Sequence, residues 1–148
     1  MEDLNDYDIF AKEMQAKYPL MLSKPYGGFA IGRGWWLIVD RLMSNIQHHI
    51  DWSVKNNLWD LENGKEDVRQ IIPQVVVAQI KEKFGGLRFY YDGGDDEISG
   101  MVRMAEAWGG TTCEECGTPA TRRSGGWIRT LCDRHEAEYQ ERNKHDNV

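Results

Sequence analysis

The stretch that decides the fold runs from Thr111 to Gln140 and reads TTCEECGTPATRRSGGWIRTLCDRHEAEYQ. It holds all three cysteines of the chain, and a histidine follows the last of them. Cys113 and Cys116 form a C-x2-C turn, and Gly117 directly after it suits a tight turn. Cys132 and His135 are spaced to lie one helical turn apart. This spacing predicts that the four side chains bind one metal ion.

The ion expected from this ligand set is Zn2+, held tetrahedrally by three sulfurs and one nitrogen. Four protein ligands close the coordination sphere, whereas catalytic zinc keeps one position open. We therefore expect the zinc to be structural. The alternative is three reduced cysteines beside an incidental histidine, which the spacing and Gly117 oppose.

The residues between the two ligand pairs predict a hairpin, because TPATRRSGGWIRTL reads as strand, Gly-Gly turn and strand. CDRHEAEYQERN has the composition of a helix. Turn, hairpin and ligand-bearing helix together resemble the treble-clef zinc fold group. We expect a zinc-binding treble-clef-like unit over residues 111–140, packed on an α+β core of residues 1–110, and a flexible polar tail over residues 141–148.

Two helices are predicted in the first part of the chain. LNDYDIFAKEMQAKYP has one apolar stripe at helical spacing, formed by Tyr7, Phe10, Met14 and Tyr18. WWLIVDRLMSNIQHHIDWSVKNN reads as the longest helix, and FAI before it as a short strand. NNLWDLENGKED is interpreted as a polar loop, with Trp59 and Leu61 tucked beneath it.

The middle of the chain predicts a helix, a strand and a further helix. PQVVVAQIKEKFGG is assigned as a helix on the four-residue spacing of Val76, Ile80 and Phe84, although its valine run favours a strand. GLRFYYD alternates as a strand does. DDEISGMVRMAEAW begins a helix, with Asp95 or Asp96 as its cap. The expected class is α+β, with about four helices, a short antiparallel sheet and the C-terminal zinc unit.

Composition narrows the partners and the location. The chain has 148 residues, a net charge of −6 and a pI near 5.2, so it is a poor general binder of phosphate backbones. No apolar run reaches the length of a membrane helix, and MEDLNDYDIFAKEM lacks the form of a secretory signal. We expect a cytoplasmic protein with reduced thiols and no membrane contact. Its oligomeric state is not predicted.

Two glycine-rich stretches, KPYGGFAIGRGWW and KEKFGGLRFYYDGG, combine cations with aromatic rings. Rings can stack on a base while Lys and Arg meet phosphate, so the pattern favours a small anionic or nucleotide-like ligand. Edge loops of a small domain have the same composition. The candidate ligand residues are Tyr26, Arg33, Trp36, Lys83, Arg88 and Tyr90.

The hairpin offers an alternative site for nucleic acid, made of Arg122, Arg123, Trp127 and Arg129. The other interpretation is a solvated hairpin whose Trp127 packs on the zinc site. No nucleophile elbow, zinc-protease motif or phosphate loop occurs, so no catalytic residue is assigned. A small nucleotide hydrolase stays as a third function.

Four segments, PYGGFAIGRGWW, QIKEKFGGLRFYYDGGDD, GMVRMAEAW and CEECGTPATRRSGGWIRTLCDRH, resemble a family of small bacteriophage and prophage proteins. The resemblance covers about residues 25–135. It implies a bacterial host cell, expression from a viral or proviral genome, and an accessory role, and the closed zinc site together with the missing catalytic motifs leads us to expect that this role is non-enzymatic. The expected partner is a host-derived nucleotide signal or a host defence protein, bound so that bacterial immunity is inhibited; a nucleic-acid-associated regulator is the alternative.

Overall fold

The computed structural model describes residues 4–65 and 71–146. Within them the chain forms α1 (Asp6–Lys17), β1 (Phe29–Ala30), a 3-10 turn (Arg33–Trp35), α2 (Trp36–Glu62), β2 (Val76–Lys83), β3 (Gly86–Asp92), α3 (Asp96–Gly109), β4 (Thr121–Arg123), β5 (Arg129–Leu131) and α4 (Asp133–Asp146). The predicted α+β class, with four helices, a short sheet and a C-terminal Cys/His cluster, is confirmed. Residues 141–146, assigned to the tail from the sequence, continue α4.

The main sheet has the order β1-β2-β3 and is mixed. β2 and β3 form the antiparallel hairpin, with Ile80 opposite Phe89. β1 joins β2 in parallel, with Phe29 opposite Ile80. A second sheet, formed by β4 and β5 alone, is antiparallel.

The core lies between the inner face of the main sheet and helices α1, α2 and α3. α1 buries Met14, and its predicted stripe extends to Tyr7, whose hydroxyl accepts a hydrogen bond from the Phe29 N–H at 2.6 Å. The largest fully buried side chains are Trp35, Phe29, Met14, Met21, Met43, Ile46, Ile80, Leu87, Ile98, Val39, Val75 and Val77. They come from all parts of the chain before the C-terminal unit.

The prediction of a helix over residues 73–86 is wrong, because Val76–Lys83 is strand β2. A four-residue spacing fits a strand as well as a helix, since four is also a multiple of the strand period. Only Ile80 of the aligned set is fully buried, and Phe84 is exposed. The β-branched run and pairing with β3 on one side and β1 on the other stabilise the extended form.

The predicted polar loop after residue 55 is also wrong, because α2 continues to Glu62. Trp59 and Leu61 are not tucked beneath a loop; both are exposed on this helix. Residues 66 and 67 of the predicted loop lie outside the described residues. The helix continues here without a continuous buried stripe, which is the signal that the sequence lacked.

Candidate metal centre and adjoining surfaces

Four side chains of the C-terminal unit converge on one point. The ligand atoms of Cys113, Cys116, Cys132 and His135 all lie within 4.8 Å of one another. The sulfurs of Cys116 and Cys132 are 3.8 Å apart, and Nδ1 of His135 lies 3.6 Å from the Cys113 sulfur. This cluster can bind a metal ion, as the spacing predicts.

Backbone hydrogen bonds shape both halves of the cluster. In the first half, the Gly117 N–H donates to the Cys113 carbonyl at 2.9 Å, and Gly117 has a φ of 83°, which favours glycine. In the second half, Glu136 N–H donates to the Cys132 carbonyl at 2.9 Å, so Cys132 stands at the start of α4. His135 then lies one turn into the helix, facing the sulfurs.

The three thiols differ in how readily they lose a proton. The His135 N–H lowers the pKa of Cys132 to about 6, and the Thr118 hydroxyl lowers the pKa of Cys116. Burial raises the pKa of Cys113. Since the thiolate is the metal-binding form, Cys116 and Cys132 are the readier ligands. A bound cation favours deprotonation of Cys113 as well.

Thr118 is a functional residue that the sequence analysis missed. Its hydroxyl lies 3.0 Å from the Cys116 sulfur, and its carbonyl accepts from the Cys113 N–H at 2.8 Å. It therefore supports both ligands of the first pair. A threonine two residues after the second cysteine, in a turn that needs local hydrogen bonds, was the available signal.

The loop that carries Cys113 and Cys116 packs against residues 32–34, which precede α2. The Gly34 N–H donates to the Glu114 carbonyl at 2.7 Å, and the Gly32 N–H donates to the Glu114 carboxylate at 2.9 Å. The Trp35 indole N–H donates to the Thr112 carbonyl at 2.8 Å. Gly32 and Gly34 of the glycine-rich stretch KPYGGFAIGRGWW thus hold the loop that carries the two cysteines.

A second contact between the C-terminal unit and the core joins β5 to the turn between β2 and β3. The Thr130 hydroxyl donates to the Gly85 carbonyl at 2.6 Å, and the Glu114 N–H donates to the Thr130 carbonyl at 3.1 Å. Thr130 is fully buried. The C-terminal unit therefore packs on the core at both ends of its hairpin-bearing segment.

Of the four arginine and tryptophan residues predicted for nucleic acid, two have internal roles. Arg129 is buried, and its guanidinium forms two hydrogen bonds with the Glu136 carboxylate and lies over the Tyr139 ring. Arg123 bonds the Leu131 carbonyl and the Asp133 carboxylate. Arg122 and Trp127 are exposed. Trp127 is therefore not buried against the metal cluster, contrary to the alternative interpretation of the hairpin.

The predicted ligand residues divide into two groups, and the first group serves packing. Trp36 stacks on Phe10 with ring centroids 4.4 Å apart, and Tyr26 meets Phe29 edge-on. Arg33 lies over the Trp36 ring and pairs with Asp6 at 2.5 Å. These contacts join α1 to the start of α2.

The second group lies on the outer face of the β2–β3 hairpin. Lys81 is directly opposite Arg88, and Tyr90 is opposite Gln79, on the face that points away from the buried Ile80 and Phe89. Lys83 shares this face, because it is two residues from Lys81. Within residues 4–65 and 71–146, Lys81, Lys83 and Arg88 form no ion pair with a carboxylate. We call these three cations and Tyr90 the basic sheet face.

No helix among the described residues is long and apolar enough to span a membrane. Comparison of the chain with protein-family models, with curated proteins and with solved structures found no match.

Proposed function

We propose that this protein is a zinc-stabilised binding protein that captures a nucleotide-class anion. Its setting would be a bacterial host cell, where a phage or prophage accessory protein of this kind withholds a nucleotide signal from host defence. The observation that carries the ligand class is the basic sheet face, where three cations that pair with no carboxylate of residues 4–65 and 71–146 lie beside an exposed tyrosine. Cations of this kind bind phosphate oxygens, and a tyrosine ring stacks on a base.

Distances within the cluster support zinc as the metal. A tetrahedral ion with Zn–S bonds of about 2.3 Å and a Zn–N bond of about 2.0 Å places two sulfurs about 3.8 Å apart and a sulfur about 3.5 Å from a nitrogen. The Cys116–Cys132 sulfur distance is 3.8 Å, and His135 Nδ1 lies 3.6 Å from the Cys113 sulfur and 3.2 Å from the Cys132 sulfur. Four protein ligands leave no open position for substrate, so the proposed role of zinc is structural.

Elemental analysis of the purified protein tests the metal. We expect about one zinc per chain, and none at stoichiometric level in Cys132→Ser, which lacks one thiolate. Ser124→Ala, an exposed change within the same unit, is the matched control and retains zinc. Full zinc in Cys132→Ser would contradict the assignment.

Isothermal titration with mononucleotides and cyclic dinucleotides tests the ligand. We expect Lys81→Ala and Arg88→Ala each to lower the affinity about tenfold, because each removes a charged contact to phosphate. Lys12→Ala, an exposed change on α1, is the control. Ligand recovered intact after heat denaturation supports capture, whereas a cleaved product supports the hydrolase alternative.

Docking on a host defence protein is the second candidate, and one surface favours it. Trp52, Leu58 and Trp59 are exposed on the last turns of α2 and line a cavity of about 360 Å³. Exposed aromatic side chains are typical of protein-binding surfaces. If no nucleotide binds, we expect Trp59→Ser to weaken the affinity of this protein for the host defence protein on which it docks, measured with both proteins purified. An unchanged affinity would exclude this surface.

A further inference from the structure

We infer that the base of the captured nucleotide is held in a cleft between the β2–β3 turn and the β4–β5 turn, an inference that rests on the proposed function. The cleft has a volume of about 390 Å³ and is lined by Glu82, Lys83, Phe84, Gly126, Trp127 and Ile128. This volume lies within the range of small-molecule sites. Lys83 and Trp127 belong to different candidate sites in the sequence, and the fold places both in this cleft.

Both aromatic rings of the cleft are exposed, and the Lys83 ammonium lies 5.9 Å from the centroid of the Phe84 ring. Phe84 is 63% exposed and Trp127 is 65% exposed, and the two rings make no contact with each other. The Trp127 indole N–H has no hydrogen-bond partner among the described residues. A flat ring entering the cleft can therefore stack on the Trp127 indole, or stack on the Phe84 face opposite Lys83 and accept a hydrogen bond from the indole N–H.

The backbone at Phe84 has a conformation that is unusual for a bulky residue. Among the described residues, Phe84 is the one non-glycine residue with a positive φ, at 52°. The left-handed region is unfavourable for a bulky residue and persists where the surroundings enforce it. Here the Glu82 carboxylate accepts from the Gly85 N–H at 2.7 Å, and Thr130 holds the Gly85 carbonyl. A glycine would adopt this conformation without strain, so a phenylalanine here points to a role for the ring.

The other wall of the cleft, which carries Trp127, is held in place by residues of the C-terminal unit. Arg129 donates from Nη1 to the carbonyls of Gly125 and Trp127, at 3.2 and 2.5 Å, and so holds the turn that presents the indole. Glu136 on α4 holds the same guanidinium, and Glu136 directly follows the metal ligand His135. The contacts that position Arg129, and through it the Trp127 turn, therefore begin next to the candidate metal ligand His135.

Cationic side chains lie next to the aromatic cleft, as binding of a base that carries a phosphate group requires. Lys83 lines the cleft and also belongs to the basic sheet face. The Arg88 guanidinium lies over Gly86, the residue that pairs with Lys83 across the hairpin. A ligand stacked on Phe84 or Trp127 can thus extend its phosphate toward Lys83 and Arg88. One carboxylate, Glu82, also lines the cleft, and its bond to the Gly85 N–H offsets part of its repulsion of an anion.

Titrations of the zinc-loaded protein with AMP, adenosine and inorganic pyrophosphate separate the two parts of the site. We expect Trp127→Ala and Phe84→Ala each to weaken AMP and adenosine binding at least about tenfold, with pyrophosphate unchanged. Trp108→Ala, which removes an exposed indole from α3, is the matched control and leaves all three affinities unchanged. Circular dichroism and zinc content verify that each variant is folded.

Different outcomes of these titrations test the cleft and the basic sheet face separately. AMP affinities that are equal in Trp127→Ala, Phe84→Ala and the unmodified protein overturn the cleft, while pyrophosphate binding lost in Arg88→Ala still supports the proposed function. Adenosine binding that requires Trp127, without any contribution from phosphate, supports the cleft and overturns the basic sheet face. Failure of the unmodified protein to bind AMP, adenosine or pyrophosphate overturns both.

Discussion

At the level of single residues, Gly34 lies directly against the loop that carries Cys113 and Cys116. A Cβ atom built on Gly34 would overlap the carbonyl oxygen of Cys113 and would lie 2.6 Å from the Gly117 nitrogen. These neighbours are backbone atoms of a loop that is held by its own hydrogen bonds, so they cannot move without displacing the metal ligands. Glycine at position 34 is therefore required for the C-terminal unit to pack against the start of α2.

Gly34→Ala should lower the free energy of unfolding by about 1–3 kcal/mol, the usual cost of overpacking. The measurement is chemical denaturation of the zinc-loaded protein. Gly100→Ala is the matched control, since a Cβ there meets nothing within 4 Å. Alanine in a helix interior is more favourable than glycine, so this control should be neutral or stabilising. Equal stabilities of the two variants would show that the close contact between Gly34 and the cysteine loop does not matter for stability.

Tyr18 is a second residue with a measurable signature. Its hydroxyl donates to the Asp40 carboxylate at 2.6 Å. Burial, aided by this carboxylate, raises the pKa of Tyr18 to about 12. A raised folded-state pKa means that the stabilising contribution is fully present below the ordinary tyrosine pKa of about 10 and is lost as the pH rises through about 12.

An ultraviolet titration of tyrosinate should show a component near pH 12 that Tyr18→Phe removes. Tyr139→Phe, which changes a ring on α4, should leave that component in place. A titration of the folded protein that is complete well below pH 12 would show that Tyr18 is not held as described.

At the level of elements, α3 illustrates how one capping side chain connects two helices. The Asp95 carboxylate accepts from the Ile98 N–H at 3.0 Å and also lies 3.0 Å from His49 Nε2 on α2. Burial by itself would raise the pKa of Asp95, but the Ile98 N–H and His49 outweigh it and lower this pKa. The cap thus contributes to the start of α3 and to its packing on α2.

Asp95→Ala should destabilise the protein by about 1 kcal/mol, the usual cost of losing a cap, and Asp95→Asn by less. Because the folded-state pKa is lowered, the contribution of the charge is present above the ordinary aspartate pKa of about 3.9 and is lost as the pH falls through the lower value. The difference in unfolding free energy between the unmodified protein and Asp95→Asn should therefore narrow below about pH 4. Denaturant titrations across this range provide the measurement, and a difference that widens toward acid would be inconsistent with it.

At the level of the molecule, the metal unit and the core differ in what stabilises them. The core cluster of buried hydrophobic residues runs from Met14 to Ala105 and includes no residue of the C-terminal unit. The unit itself buries Cys113 and Leu131, together with the polar Thr112, Arg129 and Thr130. Because this segment has so little apolar surface, we expect it to depend on a bound metal ion for its folding.

Removal of the metal should therefore affect the two parts unequally. In hydrogen exchange with a chelator present, we expect residues 111–140 to lose protection, whereas α2, α3 and the β2–β3 hairpin keep most of theirs. Addition of zinc to the chelated protein should restore the original pattern. Protection that is unchanged in residues 111–140 would show that the unit folds without metal.

Much of this architecture was predictable because its causes lie within a few residues of one another. The metal ligands follow from the spacing of three cysteines and a histidine, and β3 follows from the alternation in Leu87–Asp92. The cap of α3 follows from an aspartate before an apolar run, although only the structure chose Asp95 over Asp96. In each case the local pattern has one physically favourable conformation.

The remaining features depend on contacts between distant parts of the chain. β2 is a strand because β1 and β3 pair with it, and a four-residue spacing cannot reveal its partners. Arg129 became an internal anchor because Glu136 and Tyr139 surround it. Local spacing was enough for the metal cluster, since its ligands are supplied by two short segments, whereas the cleft between Phe84 and Trp127 exists only because the folded chain brings two turns together.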